Sequence, residues 1–156
     1  MTQLDFFKSL NFDDGLEVTK QVLERFPLQY GTTLGLDGHP QIRPLEFKFE
    51  DEGVLYFDTV TFYQSYKELL NHPFLQICVC DQETMTYLRL GGKVNFTTDK
   101  DIINRCFVQS PVLTSQFGQQ RDKIIAYYLT DVWVEFNSFL PELPKRNYHL
   151  KNKYDA

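Results

Sequence analysis

The sequence lacks the charge and the segments on which two large functional classes depend. Its 156 residues carry 16 Lys and Arg against 21 Asp and Glu, a formal net charge of −5. No overall basic field therefore exists to attract nucleic acid or anionic lipid, and we expect neither partner. The amino-terminal stretch is acidic where a secretory signal carries positive charge, and no apolar run approaches membrane-spanning length. These absences predict a cytoplasmic protein.

Cysteine and histidine are also scarce. The three cysteines, Cys78, Cys80 and Cys106, are an odd and low count for a disulfide framework. The motif "CVC" places two of them on one face of a strand, where we expect them to act as small buried apolar side chains. The three histidines are scattered along the chain, so the sequence predicts no metal site.

Apolar and aromatic side chains are abundant. Hydrophobic residues make up 42% of the chain, which includes 14 Phe and 9 Tyr, so the sequence has the composition of a folded protein. The length suits one domain better than two. We predict a single domain over residues 1–140, followed by a polar tail over residues 141–156.

Changes in hydrophobic period along the chain predict the order of the elements. Helical spacing in "GLEVTKQVLERFP" is followed by three strands, which a "DG" turn and an "EDEG" turn would join into a meander. A helix over "TFYQSYKELLNHP", two strands, one or two helices separated by Pro111 and a long strand follow. The nearly continuous apolar run "FLQICVC" suits a strand covered on both faces, and Gly91-Gly92 predicts a bulge in the next strand. A small, mostly antiparallel barrel with helices satisfies this order best.

One cation falls on a face that should be apolar. In "QIRPLEFKFE", Arg43 shares an alternating face with one leucine and two phenylalanines. A charge directed toward a core is costly unless an anion meets it. The free N–H groups at the start of the helix after the third strand would, with Arg43, suit a phosphate. The structural alternative is an ion pair between Arg43 and one of Glu46, Glu50 or Asp58, or a position of Arg43 at a barrel mouth with its charged end in water.

The stretches "GHPQIRPLEFKFEDEGVLYFDT", "SYKELLNHPFLQICVCD" and "YLRLGGKVNF" together resemble the flavin-binding split-barrel family. That family includes pyridoxamine 5′-phosphate oxidase and its nitroimidazole-reductase-like relatives. The similarity runs from about Leu16 to Phe136. It implies an antiparallel split β-barrel, mainly β with helices, that forms a homodimer and holds flavin mononucleotide (FMN) between its subunits.

The resemblance also implies a set of cofactor-binding residues. Those carried over from the first cofactor strand, with its arginine on the phosphate, are Arg43, Pro44, Leu45, Glu46, Phe47 and Lys48. Asp58 and Thr59 match the end of the next such strand, and Tyr87 matches a position where the better-known oxidases carry glutamine. Gln64 and Ser65 occupy helix positions where relatives of the oxidase usually place Arg or Lys, so one or two cationic phosphate contacts are missing here.

The resemblance predicts an FMN-dependent oxidoreductase that takes hydride from a nicotinamide donor and reduces a small molecule. Because the flavin carries the redox chemistry, no catalytic side chain is assigned. True pyridoxamine-phosphate oxidation is the less favoured activity, since the chain offers few cations for a second phosphate. The alternative is a non-catalytic module for flavin, haem or another planar ligand, with His39 or His149 as an axial ligand in the haem case. A nucleic-acid-binding barrel is the weakest option.

Overall fold

Helices and strands account for most of residues 1–155, which are the residues that the computed structural model describes. The helices are α1 (Gln3–Lys8), α2 (Gly15–Arg25), α3 (Gln64–Asn71), α4 (Lys100–Gln109) and α5 (Pro111–Phe117). The strands are β1 (Gln29–Leu34), β2 (Pro40–Leu45), β3 (Phe49–Asp51), β4 (Val54–Val60), β5 (Phe74–Asp81), β6 (Thr86–Thr97), β7 (Ile124–Ser138) and β8 (Arg146–Leu150). No helix within this described part of the chain has the length and apolar character needed to cross a bilayer.

All strand pairs are antiparallel and form one sheet in the order β2-β1-β5-β6-β7-β4-β3, with β8 added beside β7. The sheet curls without closing, because its two edges, β2 and β3, do not pair with each other. Two hydrophobic clusters fill it, a large one inside the sheet and a smaller one beneath α4 and α5. The predicted antiparallel split barrel is confirmed.

The predicted three-strand meander is wrong, because the segment from Pro40 to Asp51 is two strands at opposite edges of the sheet. β2 pairs with β1, whereas β3 pairs with β4. Residues 46–48 cross between the edges, and buried Gln29 fixes this crossing. Its Oε1 accepts from Phe47 N–H over 2.8 Å, while its amide nitrogen donates to the carbonyls of Leu23 and Phe26. The crossing is the split in the barrel.

Strand β5 also departs from the prediction. Its side chains alternate between buried and exposed, so the strand is covered on one face only. Cys78 and Cys80 lie on the exposed face, whereas Cys106 is buried. The apolar run misled the prediction because the exposed face carries apolar and thiol side chains where a solvated strand usually carries charges.

The remaining local predictions divide between confirmed and missed elements. The register of β6 on β7 shifts between Gly91 and Lys93, which confirms the predicted bulge. Ser110 caps α5, whose first residue is Pro111, which confirms the two helices. Helix α1 was not predicted. Part of the predicted polar tail forms β8 and pairs with β7 from Val132 to Phe136.

Candidate cofactor site

The anion that meets Arg43 is the carboxylate of Glu68 on α3. Arg43 Nη1 donates to Glu68 Oε1 over 2.7 Å, and Nη2 donates to Oε2 over 3.3 Å. The hydroxyl of Thr33 on β1 donates to the same Oε1 over 2.7 Å. Glu68 is 3% exposed at its side chain and Arg43 is 36% exposed. None of the three carboxylates considered from the sequence is the partner, because the helix that supplies Glu68 packs against β1.

The hydrogen bond from Arg43 lowers the pKa of Glu68, with a further contribution from Thr33, against the opposing effect of burial. Glu68 is therefore a carboxylate at neutral pH, and it neutralises much of the charge of Arg43. Part of the guanidinium still reaches solvent. The ion pair is structural, and it leaves only a part of Arg43 for any ligand.

Helix α3 places its first turn beside this ion pair. Gln64 and Ser65 are its first residues, and Glu68 follows one turn later. The N-cap, Tyr63, makes no side-chain capping bond, so backbone N–H groups at this helix start have no cap within the described chain. Arg43 thus contacts α3 one turn after its start, through Glu68, and α3 reaches it by packing against β1 and not through a meander.

A groove of about 250 Å³ opens where the chain crosses the split. It is bounded by the crossing segment, the end of β4, the N-cap of α3 and helix α5. Five of the residues predicted from the resemblance line it: Leu45, Glu46, Lys48, Asp58 and Thr59. The lining residues that the sequence did not indicate include Tyr63, Leu113, Gln116 and Phe117. No periodicity marks these as site residues, since their position depends on how α5 packs over β4.

The most unusual polar group in this groove is the carboxyl of Asp58, whose side chain is 9% exposed. Its Oδ2 is the one buried side-chain oxygen or nitrogen among residues 1–155 that has no hydrogen-bond partner. The ammonium of Lys48, 7% exposed, lies 3.9 Å from Oδ2 and 3.6 Å from Glu46 Oε1, both beyond hydrogen-bond length. Two desolvated charges therefore face each other at the groove without the bonds that normally satisfy them.

Burial raises the pKa of Asp58 to about 6, against the opposing effects of Lys48 and the Cys106 thiol. Burial likewise raises the pKa of Cys106, which stays a neutral thiol at physiological pH. Asp58 consequently changes charge near neutral pH, which an ordinary surface aspartate does not do.

Tyr87 lies far from the other predicted residues within one chain. It pairs with Asn137 at one end of β7, whereas Asp58 pairs with Ala126 near the other end. That separation is about 36 Å of extended strand. The Tyr87 hydroxyl donates to Glu135 and accepts from Asn137, on the outer face of the sheet that also carries Cys80. Tyr87 therefore belongs to another surface of the same chain.

The remaining predicted residues divide between the groove and its surroundings. Phe47 is buried in the large core cluster and Pro44 pairs with Tyr30 in the sheet, so neither lines the groove. His39 and His149 contact aspartates at exposed positions, and no histidine in the described residues lines the groove. The arrangement brings a buried cation, a buried carboxyl and a hydroxyl to one apolar-walled opening.

A family described as pyridoxamine 5′-phosphate oxidase matches residues 16–123, which include the crossing, the groove strands and α3. The chain belongs to the pyridoxamine 5′-phosphate oxidase family. No curated protein matches the sequence.

Solved structures share this oxidase-family fold over most of the chain. A NimC/NimA family protein from Clostridium acetobutylicum matches with a TM-score of 0.78 at 19% identity, over 89% of this chain and 94% of its own. A pyridoxamine 5′-phosphate oxidase-related, FMN-binding protein from Nostoc punctiforme matches with a TM-score of 0.61 at 16% identity, over 92% and 99%. A haem-binding protein from Mycobacterium smegmatis matches with a TM-score of 0.70 at 10% identity, over 87% of this chain and 58% of its own. At these identities the likeness concerns the fold.

Proposed function

We propose that this protein binds FMN as a homodimer and acts as a flavin-dependent oxidoreductase on a small molecule. The observation that carries the proposal is the groove at the split, where five residues predicted from sequence resemblance line one opening and one of them, Asp58, has a buried oxygen without a hydrogen-bond partner. Such atoms are normally paired in a folded protein, so their position indicates that a ligand supplies the partner. Membership of a family with an FMN-binding structural neighbour supports flavin as that ligand.

The residues present fit FMN in two parts. The groove would take the isoalloxazine ring, with Lys48, Asp58 and Thr59 on its polar edge. The start of α3 would bind the phosphate through its uncapped N–H groups and the side chains of Gln64 and Ser65. Arg43 would contribute those guanidinium N–H groups that do not bond to Glu68. Neutral donors bind phosphate about half as strongly as charged ones, so we expect weaker phosphate binding than a cationic helix start would give.

One chain supplies only part of the site. The groove, at about 250 Å³, is smaller than the roughly 300–1,000 Å³ typical of ligand pockets. A second subunit would supply the missing wall. Since Tyr87 cannot reach the groove of its own chain, we propose that it acts at the groove of the partner, because the family resemblance implies that this position lies near the flavin.

The outer face of the sheet is the surface we propose for dimerisation. β2, β1 and β5 present apolar and thiol side chains there, and the larger exposed ones are Leu28, Tyr30, Ile42 and Phe74. Phe26, Leu28, Tyr30, Ile42, Cys78 and Cys80 line a depression of about 580 Å³. A contiguous apolar face of this kind is costly in water, and pairing with an identical face is the commonest way to bury it.

When bound, FMN would supply hydride transfer between a nicotinamide donor and the substrate. The chain's own residues would orient the ring, exclude water from its buried edge and hold a cation and a carboxyl beside it. No nucleophilic side chain is required. The neutral phosphate contacts and the absence of a second cationic cluster at the groove favour a reductase role over oxidation of a phosphorylated pyridoxamine.

Visible absorption tests the proposal directly. The protein mixed with excess FMN and then desalted is expected to keep the yellow bands of oxidised flavin at near-stoichiometric occupancy. Addition of a nicotinamide donor, with a nitroaromatic or quinone acceptor, should then bleach the bands and restore them repeatedly. A colourless protein after desalting would reject flavin binding, whereas stable colour without turnover would indicate the non-catalytic module.

Gln64→Arg is expected to tighten FMN about tenfold while leaving riboflavin unchanged. The substitution replaces a neutral donor at the start of α3 with a charged one, and a gain of about 1.4 kcal/mol is a factor of ten in affinity. Equilibrium dialysis with the two flavins measures both constants, and Lys67→Arg, which adds no charge, serves as the control. Equal tightening of both flavins would place the phosphate elsewhere.

A further inference from the structure

The carboxyl of Asp58 and the ammonium of Lys48 are an acceptor and a donor with no hydrogen bond to each other. They lie 3.9 Å apart, and both side chains line the groove. A structural ion pair would close to hydrogen-bond distance, as Arg43 and Glu68 do at 2.7 Å. Neither side chain therefore satisfies the other, and one ligand group that reaches both would complete their hydrogen bonding.

The groups around Asp58 leave its carboxyl able to bond to a ligand. Lys48 and Glu46 face it from the crossing segment, Cys106 from α4, and Tyr127 from β7. Burial raises the pKa values of Cys106 and Tyr127, so both stay neutral and neither offers a charge to Asp58. Glu46 is 40% exposed and can turn toward water. Oδ2 has no hydrogen-bond partner within residues 1–155, so a ligand in the groove would supply the partner that it lacks.

We propose that Asp58 and Lys48 together recognise an N–H group adjacent to a carbonyl in the ligand, with Asp58 accepting from the N–H and Lys48 donating to the oxygen. This chemistry has two sources in the proposed reaction. The pyrimidine ring of isoalloxazine carries an N–H between two carbonyls, and the carboxamide of nicotinamide carries both groups as well. The inference rests on the proposed function only for the first source.

The pair also makes binding depend on pH. Above pH 6 the Asp58 carboxylate accepts the ligand N–H. As the pH falls through about 6, Asp58 becomes protonated and loses this acceptor, so affinity falls. Riboflavin isolates this dependence because it carries no phosphate, whereas the second pKa of a phosphate monoester is also about 6.

Quenching of flavin fluorescence is the test, with riboflavin and 3-methylriboflavin as probes at pH 7.5. Wild type is expected to bind riboflavin about tenfold more tightly than the methylated analogue, which lacks the N–H. Asp58→Asn and Lys48→Met should each remove most of that preference, and Asp122→Asn, at an exposed carboxylate that does not line the groove, should leave it intact. Riboflavin and its analogue binding equally to wild type would overturn the inference while leaving flavin binding established.

The nicotinamide arm uses nicotinamide mononucleotide and nicotinic acid mononucleotide in calorimetric titrations. A preference for the carboxamide that Asp58→Asn abolishes, in a protein that does not bind flavin, would support the pair and reject the proposed cofactor. Binding of neither riboflavin nor the nicotinamide would overturn both proposals.

Urea unfolding of the apoprotein separates this role from a structural one. Because the folded-state pKa of Asp58 is raised, folding favours its protonated form and the ionised form is destabilising at pH 8. Asp58→Asn should therefore raise the urea midpoint at pH 8 and leave it nearly unchanged below about pH 3, where the wild-type carboxyl is largely protonated in both states. A lowered midpoint at pH 8 would identify Asp58 as a structural ion-pair residue and overturn the proposal.

Discussion

Arg43→Ala is expected to lower the free energy of unfolding by about 2 kcal/mol at pH 7. The substitution leaves the buried carboxylate of Glu68 without its cation, and Thr33 remains as a neutral donor. This loss of stability is smaller than the roughly 3–5 kcal/mol that follows from breaking a fully buried ion pair, because part of Arg43 reaches solvent. Urea unfolding followed by circular dichroism measures it.

The stability lost in Arg43→Ala should decrease as the pH falls. The pKa of Glu68 is lowered in the folded wild type, so its pairing stabilises the protein above the unfolded value of about 4.3. This stabilisation is lost as the pH falls through the folded value. The deficit of the variant should therefore be largest near neutral pH and shrink below about pH 4, where Glu68 can be protonated.

Two variants make this result specific. Lys153→Ala removes an exposed ion pair with Glu52, and we expect a change of less than about 0.5 kcal/mol. The double variant Arg43→Met with Glu68→Leu removes both charges and should recover most of the stability, because an apolar pair does not leave an uncompensated charge. An Arg43→Ala protein as stable as wild type would show that Glu68 does not depend on this ion pair.

Ile42→Glu is expected to convert the proposed dimer into a monomer and to remove the proposed flavin binding with it. Ile42 is 67% exposed on β2, so the change should not disturb the core. In a paired apolar face, two carboxylates would be brought together without partners, and the association constant should fall by about 100-fold or more. Sedimentation velocity measures the mass, and desalting after addition of FMN measures cofactor retention.

The matched control for Ile42→Glu is Val108→Glu on α4. Val108 is even more exposed, at 82%, and does not lie on the β2-β1-β5 face. This variant should remain dimeric and yellow. A wild-type protein that sediments as a monomer at micromolar concentration, or an Ile42→Glu variant that retains FMN, would reject the interface and the role of Tyr87 at the partner's groove.

The sequence predicted the parts of this fold that depend on neighbouring residues. The tight turn before β2, the bulge at Gly91-Gly92 and the helix boundary at Pro111 each follow from local backbone chemistry, and each is present. The family resemblance added the open barrel and five residues that meet in one groove.

The parts that the sequence did not predict depend on distant contacts. No local signal separates β2 from β3, because the crossing is fixed by the side chain of Gln29, far back in the chain. The pairing of Glu68 with Arg43 depends on α3 packing against β1. The exposure of Cys78 and Cys80 depends on what covers the outer face of the sheet. The sequence of an apolar strand is the same whether that face is covered by its own chain or by another chain.

The crossing at residues 46–48 has a consequence for how this architecture can change its ligand. The side chains of Glu46 and Lys48 line the groove and lie outside the β2–β1 and β3–β4 residue pairs, so substitutions at these two positions leave those pairs unchanged. The side chains that can vary therefore lie at this crossing, while the sheet that supports the crossing stays the same. An architecture of this kind can exchange one planar ligand for another by altering a few side chains at its opening, without a new fold for each ligand.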